Sequence, residues 1–365
     1  MTEQLLVSSA PVFTVDGETT GELARDLLRL EIDEDTGGMK RLTARFVAQG
    51  PVSGQESEAL LYLDGRILDF GKSLEVSIGP TDDERTVFKG TMSAINAEFR
   101  EGREPEVIVT AEDKLMVLRM TRRMKTYKQM SDTDIAREIA TQHGLSAEVN
   151  ADGPSYDVVQ QWNQSDLAFL RERARLIQAE IWIADDTLYF QSRDQRTGTE
   201  LTLVQGNHLL SLSARADLAH QRATVKVSGY DAQTREAITE EAGEDAINAE
   251  TSGGRTGIGL AQQVFGDLTS YRVRVIAMTS DEARSFAQAE MKRRARGFVT
   301  VSGVTRGSPD MIVGSRLKLE RVGIPFEGSG YYVTRVCHSY DLADGHRTRF
   351  EAERATIQSN SGTGA

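Results

Sequence analysis

The sequence predicts a mainly β protein with an α+β insert, in which two related barrel-like β domains flank a small α/β domain. Many short segments alternate apolar and polar residues, as strands with one buried and one exposed face do. One strand–loop–strand pattern occurs twice, once near each end of the chain, and a stretch with helical periodicity lies between the copies. We place the domains at residues 1–114, 115–195 and 196–356, with a mobile loop over 236–262 and a disordered tail over 357–365.

The composition limits the class of protein. With 365 residues, the chain is too long for one hydrophobic core, so two or three domains are expected. The net charge of −12 disfavours a general nucleic-acid binder, because phosphate binding needs clustered lysine and arginine. The single cysteine, Cys337, excludes an intrachain disulfide framework. Residues 1–6 lack the pattern of a signal peptide, and no apolar run reaches the roughly 18 residues of a membrane span. We therefore expect a soluble product of the cytoplasm.

The repeated pattern gives the main prediction about architecture. The first copy covers Phe70–Val76 and Phe88–Ile95, and the second covers Val313–Leu319 and Gly328–Val336. Each copy has an apolar residue, a glycine and an alternating strand, then a loop and a glycine that opens another strand. The pattern indicates duplication, so a trimer would present six similar modules in a ring. We interpret the glycines of the two copies as positions where strands bend: Gly71, Gly90, Gly314 and Gly330.

The strands and helices are predicted from capping, turn and periodicity signals along the chain. The first domain reads as short strands between turn formers, as in Leu28–Asp33 and Glu106–Thr110. Ser131, with Asp134 three residues later, forms a capping box that predicts a helix ending at Gly144.

The rest of the chain continues this mixture of strands and helices. A second helix is predicted from near Asn163 or Ser165, and Ala184–Thr187 is predicted to turn a hairpin. Strands return from Leu201 onward, and apolar residues at helical spacing predict a helix over Asp281–Arg296.

One segment comes close to a nucleotide-binding motif. Gly65–Ser73 resembles a phosphate-binding loop, but it has five residues between its glycines where the loop requires four. It also lies among β-hairpins, with no following helix to direct its N-terminus at a phosphate. The segment therefore does not predict nucleotide binding.

The other candidates for chemistry are few. His338 and His346 flank a turn at Asp344–Gly345 and could meet across a hairpin near Asp341, although such pairs are more often simply packed. Cys337 and His338 are neighbours on a strand, so their side chains point to opposite faces and cannot share a proton. We assign no catalytic, cofactor-binding or metal-binding residue and no cofactor, and we expect no enzymatic activity.

Two basic runs and one tryptophan remain. Lys292–Arg296 closes a predicted helix, where cations complement the helix dipole, so a solvated helix end is favoured. Arg119–Lys128 could line a passage or hold an acidic partner. Trp162 is predicted to anchor the core rather than to serve as a platform for a ligand.

Several segments occur together in an order and spacing that point to one family. They are Phe70–Gly71, Val109–Asp113 leading into Leu115, Ser131–Leu145, Trp162–Leu170, Gly307–Gly314, Gly330–Val333 and Val336–His338. Across about residues 20–355 the chain resembles the late-control protein D family of contractile phage tails. That family shares its fold with the hub portion of the valine-glycine-repeat spike proteins of type VI secretion.

The resemblance implies a structural role. It implies the baseplate hub of a contractile phage tail or related injection system, in which a homotrimer forms a pseudo-sixfold ring. The ring joins the hexameric tail tube to a trimeric spike around a central channel. The chain has no β-helical needle after its second β domain, so the spike is expected to be a separate protein. Tube protein, other baseplate proteins, and a tape-measure protein or cargo in the channel complete the implied partners. The hub would be made in the bacterial cytoplasm and assembled into a virion tail or injection particle.

Two alternatives stay open at this point. Residues 115–195 partly resemble a peptidoglycan-binding module, so the chain could be a tail-tip protein that binds or hydrolyses the cell wall. A nucleotide-dependent enzyme would rest on Gly65–Ser73 alone. The sequence does not distinguish a phage from a bacteriocin particle or a secretion system.

Overall fold

The computed structural model describes residues 10–51, 58–80, 83–251 and 253–358. Within these ranges the chain is mainly β, with short helices concentrated between and beside the sheets, which confirms the predicted fold class. Residues 1–6, where we expect no signal peptide, lie outside the described ranges, as does the tail after Gln358. Among the described residues, no helix combines the length and the apolar character needed to cross a bilayer.

The first β module precedes the predicted insert, and its buried face carries residues such as Leu30, Phe46, Val76 and Val109. Its elements are β1 (Val12–Val15), β2 (Glu18–Thr19), α1 (Gly21–Arg25), β3 (Leu27–Asp35), β4 (Arg41–Val47), β5 (Gln49–Pro51), β6 (Glu58–Leu60), β7 (Ser73–Ile78), β8 (Arg85–Glu98) and β9 (Glu106–Glu112).

The insert follows, and its helix starts agree with the sequence signals. Ser131 and Asp134 form the predicted capping box, and Gly144 has a φ of +68° just after the helix. Ser165 caps the next helix by accepting a hydrogen bond from the Ala168 N–H. The elements are α2 (Leu115–Met120), β10 (Arg122–Ser131), α3 (Asp132–Gln142), β11 (Ser146–Asn150), β12 (Ser155–Ser165), α4 (Asp166–Ile177), β13 (Ala179–Ala184) and β14 (Thr187–Ser192).

The remainder of the chain contains the second β module and a group of elements inserted into it. The elements are β15 (Glu200–Val204), β16 (Leu209–Ala216), β17 (Thr224–Asp231), β18 (Glu236–Ala242), a 3-10 helix (Glu244–Glu250), β19 (Arg255–Thr256), α5 (Gly257–Phe265), β20 (Thr269–Ala277), α6 (Ser280–Arg296), β21 (Val299–Arg306), β22 (Arg316–Glu320), β23 (Gly328–Asp341), β24 (Gly345–Arg354) and β25 (Thr356–Ile357).

The segment expected to be a mobile loop, 236–262, instead contains regular elements. It holds β18, the 3-10 helix, β19 and the first part of α5. Five apolar side chains of this acidic segment are buried: Ile238, Ala242, Ile247, Ile258 and Ala261. The first four belong to the core cluster of the insert and fix the segment to it. The acids and glycines of the segment are typical of a loop, but these spaced apolar residues hold it in regular elements.

The buried apolar side chains of the described residues form three clusters. One lies under each β module, and the third belongs to the insert. The third cluster also takes in β17, β18 and α6, so that Phe286 and Met291 share a core with Ile139 and Phe169. Part of the predicted third domain, 196–356, therefore packs with the insert, while the domain boundaries themselves stay a prediction.

A single sheet of thirteen strands joins the two β modules. Its main path is β16-β21-β24-β23-β3-β4-β9-β8-β7-β1-β2, with β22 and β15 attached beside β23. The modules meet where β3 pairs antiparallel with β23, from Asp35 opposite Arg335 to Arg29 opposite Asp341. We call this pairing the internal seam. No sheet in the described part of the chain closes into a barrel, so the two barrel-like modules are open sheets with free ends.

The predicted duplication is visible in the hydrogen bonds of the two copies. The Gly71 N–H donates to the Met92 carbonyl at 3.0 Å, and the Gly314 N–H donates to the Val333 carbonyl at 3.0 Å. Met92 and Val333 each donate back to the residue after the glycine, at 2.9 and 3.0 Å. Gly71 and Gly314 have φ values of +82° and +96°, a region that favours glycine.

The two modules also have register shifts at corresponding points of their strands. β8 and β23 have 14 residues each, and the register shifts between Met92 and Ala94 in one and between Val333 and Arg335 in the other. β3 and β16 also have register shifts at matching points, between Leu27 and Arg29 and between Leu209 and Ser211. The strands β3, β4, β9, β8 and β7 therefore correspond to β16, β21, β24, β23 and β22.

Candidate assembly surface

The central sheet has one apolar and one polar face, and the polar face continues across the internal seam. Arg335 on β23 pairs with Asp33 on β3 at 2.7 Å, and Arg349 on β24 pairs with Glu31 at 2.7 Å. These side chains are one third to one half exposed, so each pair contributes at most about 1 kcal/mol. Their main effect is to match opposite charges across the internal seam.

Each module leaves one strand edge open at an end of this polar face. Residues Ala94–Glu98 of β8 pair with β9 on one side, and no strand of the described residues pairs with them on the other. In β16, which is Leu209–Ala216, Leu209 also forms a bridge with Gln205, while Ser211–Ala216 pair only with β21 in the described part of the chain. We call these two strands the open edges.

The cores are incompletely covered beside the open edges. Ile95 on β8 is only partly buried and Ala97 is exposed, while Leu212 and Ala214 on β16 are only partly buried. The residues in corresponding positions of the internal seam are all buried: Leu30, Ile32, Val336 and His338. Because backbone groups and apolar side chains are both uncovered, the open edges have the properties of unpaired interfaces.

A buried polar cluster attaches the insert to the internal seam. Arg196 forms ion pairs with Glu34 of β3 and, at 3.2 Å, with Glu180 of β13. The Tyr332 hydroxyl of β23 donates to Glu180 at 2.6 Å. The guanidinium of Arg196 also lies 4.5 Å from the ring centre of Trp182. We call these residues the junction cluster, because they connect both strands of the internal seam with the insert.

The segment that resembled a phosphate-binding loop has a structural use. Gly71 makes the backbone hydrogen bond to Met92 described above, and the Lys72 ammonium donates to the Arg66 carbonyl. The strand β7 follows at Ser73, so no helix N-terminus faces the segment.

The histidine pair is buried in the core of the second module. His346 Nε2 lies 3.4 Å from His338 Nδ1, and His338 Nε2 lies 3.1 Å from the Met311 carbonyl. Burial lowers the pKa of His338 to about 3 and that of His346 to about 4, so both rings are neutral at pH 7. No group of three or more His, Cys, Asp or Glu side chains in the described ranges could hold a metal ion.

Cys337 lies on the polar face, opposite to the side on which His338 is buried. Its Sγ is 3.2 Å from Arg349 Nη2, and burial raises the pKa of the thiol. The thiol therefore has neither the neighbouring base nor the lowered pKa of a nucleophile.

The first basic run is largely neutralised within the chain. Arg119 pairs with Glu112 at 2.9 Å, Arg123 pairs with the buried Asp166 at 2.9 Å, and Lys125 pairs with Glu138. In the second run, Arg293 and Arg294 pair with Glu290, and Arg296 pairs with Glu250. These pairings account for both runs without an external polyanion.

The prediction for Trp162 is wrong. Its side chain is 66% exposed beside the exposed Met124 on the outer face of the β10–β12 ribbon. Alternation within the ribbon is the cause, because Gln161 and not Trp162 faces the core. The better-packed tryptophan is Trp182, whose ring stacks on Tyr189 with centroids 4.9 Å apart.

The architecture is that of solved tail proteins. The 43 kDa tail protein of prophage MuSo2 from Shewanella oneidensis aligns with a TM-score of 0.68 and 13% identity, covering 95% of this chain and 98% of that chain. The tail protein from Neisseria meningitidis MC58 aligns with a TM-score of 0.65 and 13% identity, covering 94% and 96%. The E. coli c3393 protein is described as a type VI secretion component with structural similarity to T4 bacteriophage tail proteins gp27 and gp5. It aligns with a TM-score of 0.58 and 14% identity, covering 92% and 74%.

At these identities the alignments establish the fold, so this chain has the fold of phage tail proteins and of that secretion component. The resemblance drawn from the sequence is confirmed at this level. The family model described as the Alg8 N-terminal domain matches residues 54–341, which is most of the chain, and the chain belongs to this family. No curated protein matches the sequence.

Proposed function

We propose that this chain is the structural hub of a contractile phage tail or of a related contractile injection system. Three copies would form a pseudo-sixfold ring that joins a hexameric tail tube to a trimeric spike around a central channel. The observation that carries the proposal is the pair of equivalent β modules in one continuous sheet. Three chains with two modules each present sixfold-like surfaces to one partner and threefold surfaces to the other.

The faces of the sheet support a channel. The apolar face is covered by the cores of the two modules, so the polar face is the one that can line a water-filled passage. On this face the arginines are paired with acids, as in Arg45 with Glu98 and Arg335 with Asp33. A lining with balanced charges would hold neither an anionic nor a cationic cargo strongly.

The partners in this proposal are other tail proteins. They are a separate trimeric spike, the tail tube protein, other baseplate proteins, and a tape-measure protein or cargo in the channel. The description of the E. coli protein, which names similarity to gp27 and gp5 of a phage tail, supports this assignment. Synthesis in the bacterial cytoplasm and assembly into a virion tail or injection particle belong to the same proposal.

The absence of catalysis is also a proposal, and the uses of the candidate residues support it. The histidine pair packs in a core, the Cys337 thiol has a raised pKa, and Lys72 holds a loop carbonyl. Each group is thus engaged in the structure in a way that does not favour nucleophilic or acid–base chemistry.

The first test is the absolute mass of the purified chain by light scattering at two concentrations. Since one chain has a mass of 40.2 kDa, the trimer should give about 121 kDa. Averaged electron-microscope images of the same sample should show a ring with a central hole. A monomer at both concentrations would contradict a hub that assembles by itself, and a dimer would contradict the threefold ring.

A second candidate function is cell-wall binding through residues 115–195, and the exposed Trp162 favours it. An exposed aromatic ring beside a polar group, here Gln160, which accepts a hydrogen bond from the Trp162 indole N–H at 3.0 Å, can stack on a sugar face. Sedimentation with purified peptidoglycan should leave the wild-type chain in solution if the hub proposal is sufficient. Pelleting that is lost in Trp162→Ala would favour the second candidate, and a clearing zone in zymography would show an enzyme.

A further inference from the structure

The internal seam shows how two modules of this kind join. β23, the long strand of the second module, pairs with β3 of the first module, and the core on each side is closed. The correspondence between the modules makes β8 equivalent to β23 and β16 equivalent to β3. These equivalents are the two open edges, so every chain has one internal seam and the two halves of another.

The strand directions allow the second seam to form between copies. Every neighbouring pair on the path from β16 to β8 is antiparallel. β8 and β16 consequently run in opposite directions. Rotation of a copy about an axis along the strands keeps those directions and brings the two edges together as an antiparallel pair.

We propose that β8 of one copy pairs antiparallel with β16 of a second copy, repeating between chains the internal seam that joins β23 to β3 within each chain. The inference rests on the proposed ring of copies and specifies its interface. It also specifies the register. Ala97 corresponds to His338 and Ala214 to Ile32, which are partners in the internal seam, so Ala97 lies opposite Ala214 of the second copy.

The core beside the open edge supports the same register. Tyr340 lies opposite Leu30 and packs against the core of the first module from across the internal seam. Phe99 is the equivalent of Tyr340, follows directly after β8, and is 62% exposed. In the proposed pairing Phe99 faces Leu212 of the second copy and covers the core of that copy's second module.

Disulfide trapping tests the register. In a Cys337→Ser background, Ala97→Cys is combined with Ala214→Cys, because opposite residues of an antiparallel pair have Cα atoms about 4.5–5.5 Å apart, within disulfide range. The matched control combines Asn96→Cys with Ala214→Cys. A one-residue slip directs the two thiols to opposite faces of the sheet, so the control should cross-link at least about tenfold less. Oxidised samples are compared on non-reducing gels and by light scattering.

The outcomes separate this inference from the proposed function. Covalent trimers from the in-register pair, with little product from the control, support both. A trimer by mass without the in-register cross-link overturns the proposed seam and leaves the hub in place. Cross-linked open polymers support the seam but contradict the trimeric ring. A chain that stays monomeric at the highest concentration reached overturns the seam as a site of self-association.

A pair of phenylalanine variants gives an independent measurement without cysteines. Phe99→Glu should raise the dissociation constant of the assembly by about tenfold or more, since it places a charge against an apolar partner. Phe70→Glu is the control, because Phe70 has a similar exposure of 65% and lies in the turn before Gly71, outside the Ala94–Glu98 stretch that forms the open edge of β8. Equal dissociation constants for the two variants would count against the proposed seam.

Discussion

Two glycines determine how each copy of the repeat starts. Gly71 and Gly314 hold the same left-handed backbone conformation and make the same hydrogen bond to the long strand of their module. A side chain is strained at such φ values, and at Gly314 an added Cβ would also lie 2.9 Å from Cγ of Arg196. The repeat in the sequence therefore reflects a backbone requirement at these two positions.

Replacing Gly314 should be costly. Gly314→Ala is expected to lower the free energy of unfolding by about 1–3 kcal/mol, because it combines a strained φ with a close contact. Gly21→Ala is the control: Gly21 begins α1 with open space around it, so the change should be neutral or slightly stabilising. Urea unfolding followed by circular dichroism measures both. If the two variants have equal stability, the backbone requirement at Gly314 is refuted.

The buried histidines predict how stability depends on pH. Both rings have a pKa near 6.5 in the unfolded chain, and in the folded chain these values fall to about 3 for His338 and about 4 for His346. The unfolded state therefore binds more protons below pH 6.5, so stability should decrease as the pH falls toward 4, by at most about 2.7 kcal/mol per pH unit for the two rings.

Comparison with a variant isolates this effect. His346→Gln should remove roughly half of the slope between pH 6 and pH 5, measured as the change in urea midpoint with m held constant. Burial raises the pKa of Asp113 to about 7, which makes stability fall as the pH rises and acts in the opposite direction. Asp113 is present in both proteins, so it cancels in the difference. Identical slopes would mean that His346 is protonated in the folded chain.

At the scale of elements, the sequence predicts helices and turns correctly where residues close together in the chain determine them. The capping box at Ser131, the cap at Ser165 and the hairpin after Ile183 are all determined by neighbouring residues, and all are confirmed. The strands of 236–262 were missed because Ile238 and Ile258 are held by α6 and the insert, far away in sequence. Trp162 was assigned to the wrong side because its position depends on which face of a two-stranded ribbon meets the core.

The assembly surface could be predicted only in part. The repeat revealed two equivalent modules, which is the basis of the candidate ring. The open edges could not be found from the sequence, since they depend on the order of strands in the sheet. In particular, nothing local to Ala97 or Ala214 indicates that these residues lie on the two open edges of one continuous sheet.

The junction cluster identifies the contact between elements whose loss should lower the stability of the fold most. Arg196→Met should reduce the free energy of unfolding by about 1–3 kcal/mol, because the buried Glu34 and Glu180 lose their shared cation. Lys40 at 3.5 Å from Glu34 and Arg193 at 3.3 Å from Glu180 remain as partners and limit the loss. Arg66→Met is the matched control, since Arg66 pairs with Asp64 on the surface and its loss should change stability by less than about 1 kcal/mol. Thermal unfolding followed by circular dichroism compares the two. Similar losses in both variants would show that the junction cluster does not stabilise the fold.

At the scale of the whole molecule, the continuous sheet makes the two β modules one mechanical unit. The internal seam carries paired backbone groups, matched charges on the polar face and a buried polar cluster underneath. The insert is attached at the same place through Glu180 and Arg196. Relative movement of the modules would have to break all of these contacts together, so the two modules should move as one rigid body.

The covalent connection between the two β modules of a chain restricts the number of modules that a ring can contain. If copies join through their open edges, every ring contains an even number of modules, because no chain can contribute one module alone. Closure then needs half as many encounters between molecules as a ring of single modules would, and errors in subunit number change the circumference by two modules at a time. The two modules of a chain can also carry different side chains at equivalent positions and keep the same backbone pattern. Asn96 of the first module and Cys337 of the second are one such pair.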